Sequence, residues 1–344
     1  MPLSHRLRPL ALSAALLAAA LLSLAPAAPT GAQTLAENNE RLFAQMQEAR
    51  DLSDETMARI REIFAGSQFL GQGNPDVTRY AMTPEEAQAR LPAPALEYYR
   101  NARYERICGQ PYEVPLYDPE TQEPEDATVC VQMFEYPNVP LAYPVVWVTA
   151  REAALLCAAE GARIGDAHEW EGAAAGQLLA PDYPFDRVRG MGMRDAVRTM
   201  RAWHNQHWAH ARGQYSIGDW QPGVCATGSS KSPGCDGGNW RRCGSNTYPA
   251  GAFPQCHSPL GVYDIDGNAA EHMNLPLNEG QMASLGSAEL GVTEMKGSWF
   301  VWDEIRAHEH WARWRAPFWH GSRVMDPRSH RNYHLGFRCF RDID

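Results

Sequence analysis

The stretch Ser258-Pro259-Leu260-Gly261-Val262-Tyr263-Asp264-Ile265-Asp266-Gly267-Asn268-Ala269-Ala270-Glu271 decides how this chain is read. It places carboxylates at both ends of a tight loop, with Gly267 at a turn and short side chains between. Such a loop has no helix or strand period of its own. It needs an external tie, and clustered oxygens suit a hard cation such as calcium, which takes about six to eight oxygen ligands.

Outward from that loop, short segments follow in a definite order. Upstream lie Phe134-Glu135-Tyr136-Pro137-Asn138 and Pro144-Val145-Val146-Trp147-Val148-Thr149-Ala150-Arg151-Glu152-Ala153. Cys157, Gly161-Ala162-Arg163-Ile164, Glu169-Trp170-Glu171 and Tyr183-Pro184 come next. Downstream are Gly297-Ser298-Trp299 and Leu335-Gly336-Phe337-Arg338-Cys339. In this order, across residues 106–344, they resemble the sulfatase-modifying-factor domain of formylglycine-generating enzymes. The resemblance implies an α+β, C-type-lectin-like fold, rich in loops. It also implies a structural calcium held by the side chains of Asp264 and Glu271 and the carbonyls of Gly267 and Ala269. A disulfide between Cys157 and Cys339 is implied by the same match, and Ser298 falls at a family active-site position; with Trp299, Trp311, Trp314 and His334 it is a candidate for a substrate groove.

The chain departs from that family where the chemistry sits. Formylglycine synthesis uses two cysteines after the Gly-Ser-Trp segment, because thiolates are the soft ligands that copper(I) prefers. Here no cysteine lies between Cys256 and Cys339. Lys296 stands where the family has glycine, His334 where it has asparagine, and Ala270 and His272 where tryptophans flank the loop glutamate. A second family disulfide has no counterpart, with Ala174 and Ala316 near the expected positions. Histidines fill the altered region: His308, His310, His320 and His334 offer nitrogen ligands for iron or copper. Tryptophan and histidine also line peptide and glycan grooves. Two functions therefore stand: a non-heme metal-dependent oxidoreductase acting on a peptide or small molecule, or a non-catalytic module binding a peptide, glycan or protein partner. His204, His207 and His210 share a helical stripe and read as a solvated polar face, since three ligands on one helix rarely converge.

Residues 1–32 read as a signal peptide cleaved near Ala32–Gln33, with His5, Arg6 and Arg8 before the apolar run Leu10–Leu24. That run is short for a membrane span of about 20 residues. The expected location is the periplasm or beyond. Removing residues 1–32 takes two Arg from 31 basic and 41 acidic residues, so the formal charge goes from −10 to −12. So acidic a chain is unsuited to general nucleic-acid or anionic-membrane binding.

All eight cysteines follow the signal, and an even count in an exported chain favours disulfides. Cys108 is paired with Cys130, and two bridges are expected within Cys225–Cys256, where zinc is the competing reading. Residues 33–105 form a helical N-terminal extension, either a packing arm or a partner-docking segment. Its helix starts are Ser53-Asp54-Glu55 and Thr83-Pro84-Glu85-Glu86. Thr149 and Glu152 form a capping box. Val129–Phe134 and Pro144–Val148 read as strands, and residues 212–260 as disulfide-tied loops.

Overall fold

Each expected helix start is a working cap. The computed structural model describes residues 34–235, 238–306, 308–309, 311–316 and 321–343; residues 1–32, read above as a signal peptide, lie outside them. Thr34 and Glu37 close a capping box on α1 (Leu35–Ala49). Ser53 caps α2 (Asp54–Ala65) by accepting from Thr56 N, and Gly66 ends it. Thr83 and Glu86 close a second box on α3 (Pro84–Gln88), with Pro84 where its missing N–H costs no bond. Two short helices follow, α4 (Ala95–Tyr98) and α5 (Ala102–Cys108). The apolar faces of α1 and α2 (Leu42, Phe43, Met46, Met57, Ile60, Phe64) are buried in the same cluster as Ala153, Leu156 and Cys157 of α6 (Ala150–Ala159). The extension therefore packs as an arm.

Two small sheets form the centre. The first runs β1 (Glu113–Leu116), β2 (Val129–Gln132), β7 (Cys339–Asp342), β3 (Arg163–Ile164), all neighbours antiparallel. The second places β4 (Ala270–Leu275) between antiparallel β5 (Val292–Lys296) and parallel β6 (Leu335–Gly336). Around them lie α7 (Ala167–Ala175), α8 (Phe185–Val188) and α9 (Met193–His207). This is the α+β, loop-rich architecture expected. Among the described residues, no helix or strand lies between Ala211 and Ala270.

The bridges are Cys108–Cys130, Cys157–Cys339, Cys225–Cys256 and Cys235–Cys243. None of the eight sulfurs is left free for zinc. Four disulfides fit an oxidising compartment. Among the described residues no helix is long and apolar enough to cross a membrane.

Two strand readings need correction. Pro144–Val148 is buried but is not a strand: Trp147 turns to φ of 57° and only Val146 pairs, in an isolated bridge with Gly71. Val145 N donates to Tyr136 O, Val146 N to Gly71 O and Trp147 N to Asn332 O, so three separate partners replace a ladder. Val129–Phe134 stops at Gln132, because Phe134 N turns to the Asn138 side chain at 3.1 Å.

Candidate functional site

The 258–271 loop delivers β4 to the centre of the molecule. Asp264 and Asn268 adopt φ of 56° and 52°, and Gly267 has φ of 125°. A Cβ at Gly267 would lie 2.9 Å from the Ala226 carbonyl, so this position requires glycine. Glu271, opening β4, is gripped from two sides. Arg338 Nε and Nη2 reach its carboxylate at 2.8 and 2.6 Å, and Trp170 Nε1 donates to it at 2.9 Å. This planar two-point contact is the geometry in which guanidinium and carboxylate pair best.

That grip bears on calcium. The ligand set implied by the resemblance includes Glu271, but both its oxygens already serve a guanidinium and an indole, so Glu271 does not fit as a ligand. Asp264 is better disposed: its Oδ2 accepts from Gly251 N at 2.6 Å, while its Oδ1 is buried without a partner. Nearby Glu135 accepts from Ala269 N at 2.9 Å and Asn268 Nδ2 at 3.2 Å. Three buried carboxylates thus share one guanidinium, whose charge Glu271 takes. Burial pushes Asp264 up to about 7. Burial, with Asp264 and Glu271 adding repulsion, holds Glu135 well above the usual carboxylate range.

A pH effect follows. Between the ordinary value of 3.8 and about 7, folded Asp264 keeps a proton that the unfolded chain has lost. Its contribution to stability is therefore full at low pH and is lost as pH rises through that window. Asp264→Asn carries no such proton. Its stability relative to the parent should rise by about 1.4 kcal/mol per pH unit across the window. Urea unfolding at pH 5 and pH 7 checks this, and a difference independent of pH would refute it.

The Gly297-Ser298-Trp299 segment leaves β5 through Gly297, at φ of 74°. Lys296 is fully buried. Its Nζ lies 3.0 Å from Glu171 Oε1, donates to the Trp314 carbonyl and sits over the Trp170 ring. Glu171 also accepts from Arg315 Nε at 2.9 Å, and Arg315 Nη2 reaches Asp182 Oδ1 at 3.1 Å. His204 of α9 completes the group, with Nδ1 2.9 Å from Asp182 Oδ2 and Nε2 donating to Arg313 O at 2.7 Å. His204 is therefore buried, which corrects its reading as solvated; His207 and His210 are exposed. Burial lowers His204, and Arg315 adds to this, while Glu171 and Asp182 oppose it.

Glu171, Asp182 and His204 are the one group of metal-ligand type among the described residues. Arg315 and Lys296, however, already balance the two carboxylates with two buried cations. A divalent ion there would leave two positive charges in excess in a dry site, so the set does not fit one.

Trp299 lines a groove of about 870 Å³. Its floor is aromatic: Trp299 and His334 stand 4.3 Å apart between ring centres, and Tyr333 and His334 4.7 Å. His308 lies 5.9 Å from His334 by the same measure. His334 is 5% exposed and Trp299 3%. Both ring nitrogens of His334 and Nε1 of Trp299 have no hydrogen-bond partner. Burial, with His308 and His330 adding repulsion, keeps His334 neutral. Buried polar groups left without partners, two donors and one acceptor here, carry a free-energy cost that a bound polar group can offset.

Of the other groove candidates, Trp311 and Trp314 pack instead with Ala270, Met295, Ala316 and Leu335 in a small core. Ser298 is fully buried behind the wall, its hydroxyl unpartnered. Among the speculative metal ligands, His310 and His320 lie outside the described residues. The groove's cations, Lys231, Arg328 and Arg331, escaped sequence reading because no period or motif links positions so far apart.

A family model described as the sulfatase-modifying factor enzyme 1-like domain matches residues 102–343. The chain belongs to this family. Among solved structures it is similar to PvdO from Pseudomonas aeruginosa, at 16% identity over 67% of this chain and 91% of that one, with a TM-score of 0.31. It is also similar to CarF, at 16% identity over 59% of this chain and 69% of that one, with a TM-score of 0.27. No curated protein sequence matches it. All eight cysteines are tied in disulfides, so no thiolate remains for the soft-metal chemistry that the resemblance implied.

Proposed function

We propose that this family member is a binding module that uses the groove over Trp299 and His334 to hold a peptide, glycan or small molecule, without thiol-dependent formylglycine chemistry. One observation carries this reading: Trp299 and His334, which line the groove, hold three buried ring nitrogens without a hydrogen-bond partner, while every cysteine is consumed in a bridge. Donors prepared in an apolar setting orient a ligand.

The test is a nuclear magnetic resonance screen of a chemically diverse fragment set against protein labelled at tryptophan and histidine rings. Hits should concentrate on the Trp299 indole and the His334 imidazole, assigned through Trp299→Phe and His334→Gln. Hits scattered over the surface would sink the groove reading. In parallel, thiol titration of denatured, unreduced protein should find no reactive cysteine.

A second reading has a separate support. His308 and His334 approach closely enough for two imidazoles to share a transition metal, as an iron- or copper-dependent oxidoreductase would need. Elemental analysis of protein purified without chelators discriminates: stoichiometric iron or copper, lost in His308→Ala, would favour the oxidoreductase.

A further inference from the structure

The charge around the groove is opposite to the charge of the chain. The sequence carries a formal charge of −10. Yet the described residues lining the groove include Lys231, Arg328 and Arg331 and no aspartate or glutamate. Both arginines have loose ion pairs, Arg328 Nε 3.8 Å from Asp326 and Arg331 Nη2 3.7 Å from Glu152, and Arg331 Nη1 donates to Ser67 Oγ at 3.4 Å. Arg331 is held over the Phe69 ring, 5.2 Å from its centre, which fixes its position at the rim. Their guanidinium N–H groups therefore remain able to donate to a ligand. Low-dielectric walls bearing one sign of charge concentrate the opposite sign.

Resting on the groove reading above, we propose that the ligand is a small organic acid. Its planar or apolar body lies over the Trp299, His334 and Tyr333 floor, and its carboxylate faces Arg328 and Arg331. The two halves of the site fit the two halves of such a molecule. The floor rings are tilted or edge-to-face, Trp299 and His334 at 31° and Tyr333 and His334 at 84°, and give the body an aromatic contact. The guanidinium fork matches a carboxylate in two-point geometry. A neutral glycan would leave the arginine rim unused, and a cationic peptide would be repelled by it.

The experiment uses two probes that differ only in charge, N-acetyltyrosine and N-acetyltyrosinamide, titrated against full-length protein with the His334 ring resonance as readout. The acid should bind at least ten-fold more tightly than the amide. In Arg328→Gln/Arg331→Gln the preference should collapse to within about two-fold while amide binding is unchanged. These positions are exposed or half-buried, so the variant should keep its fold, which unchanged unfolding temperature verifies. Equal affinity for the two probes in the parent protein would overturn the acid assignment and leave the groove intact. Absence of any response to the acid would also overturn it, and the fragment screen then decides the groove independently.

Discussion

Removing the Cys157–Cys339 bridge by the double substitution Cys157→Ala/Cys339→Ala should cost about 4–5 kcal/mol, against the roughly 5–15 kcal/mol stability of an ordinary domain. The two cysteines are 182 residues apart in sequence, so the bridge closes by far the longest loop of the four. It joins α6 to β7, two elements with no strand pairing between them. In the chain-entropy account the stabilisation grows with the logarithm of loop length. The Cys225–Cys256 bridge lies inside this loop and shortcuts 31 residues of it, which changes a logarithm little. By the same arithmetic Cys235–Cys243, spanning 8 residues, contributes only about 2–3 kcal/mol. Guanidinium unfolding of the two double-alanine variants at low temperature should therefore rank them clearly, with the 157/339 variant the weaker. If the short-loop variant proved as unstable as the long-loop one, loop entropy would not be the source of the effect.

What could be read in the sequence had a local cause. A capping box needs two residues three apart, so Thr83 with Glu86 and Thr149 with Glu152 announced their helices directly. The 258–271 loop was legible because its glycine and carboxylates lie together. Pro144–Val148 misled for the opposite reason. Its apolar run marks burial, but burial alone does not say whether one neighbouring strand or three loops take its backbone bonds. His204 was recoverable in principle. Ala196 and Met200 lie on the buried face of α9, and one more turn lands on His204. Trp311 and Trp314 entered a core rather than a groove, a choice set by distant partners such as Ala270 and Leu335. The groove's charge was least legible. Lys231 comes from a disulfide-tied loop, and Arg328 and Arg331 from the approach to β6, and only folding brings them to one rim.

Glu171→Gln should destabilise the protein by about 3–5 kcal/mol, the usual cost of breaking a buried pair from one side. The Glu171 carboxylate is fully buried between Lys296, at 3.0 Å, and Arg315, at 2.9 Å. Arg315 keeps Asp182 as a second partner when Glu171 is neutralised, but Lys296 is left with a carbonyl and an aromatic face. Burial already pushes the Lys296 ammonium down, with Glu171 opposing. In the variant that opposition is gone, so the folded protein should shed the Lys296 proton where the unfolded chain still holds it. A base depressed in this way loses stability as pH falls, so the penalty of Glu171→Gln should be largest at pH 6 and shrink towards pH 10. Adding Lys296→Met removes the stranded charge. The double variant should accordingly lose less than Glu171→Gln alone, whereas independent sites would simply add. Lys296 directly precedes Gly297-Ser298-Trp299, so release of its tether should also shift the Trp299 indole resonance. A double-mutant cycle in urea at pH 6 and pH 10, with that resonance followed in each variant, tests both consequences. Strict additivity at both pH values would mean that Lys296 is neutral in the folded protein and that the groove floor is held by packing alone.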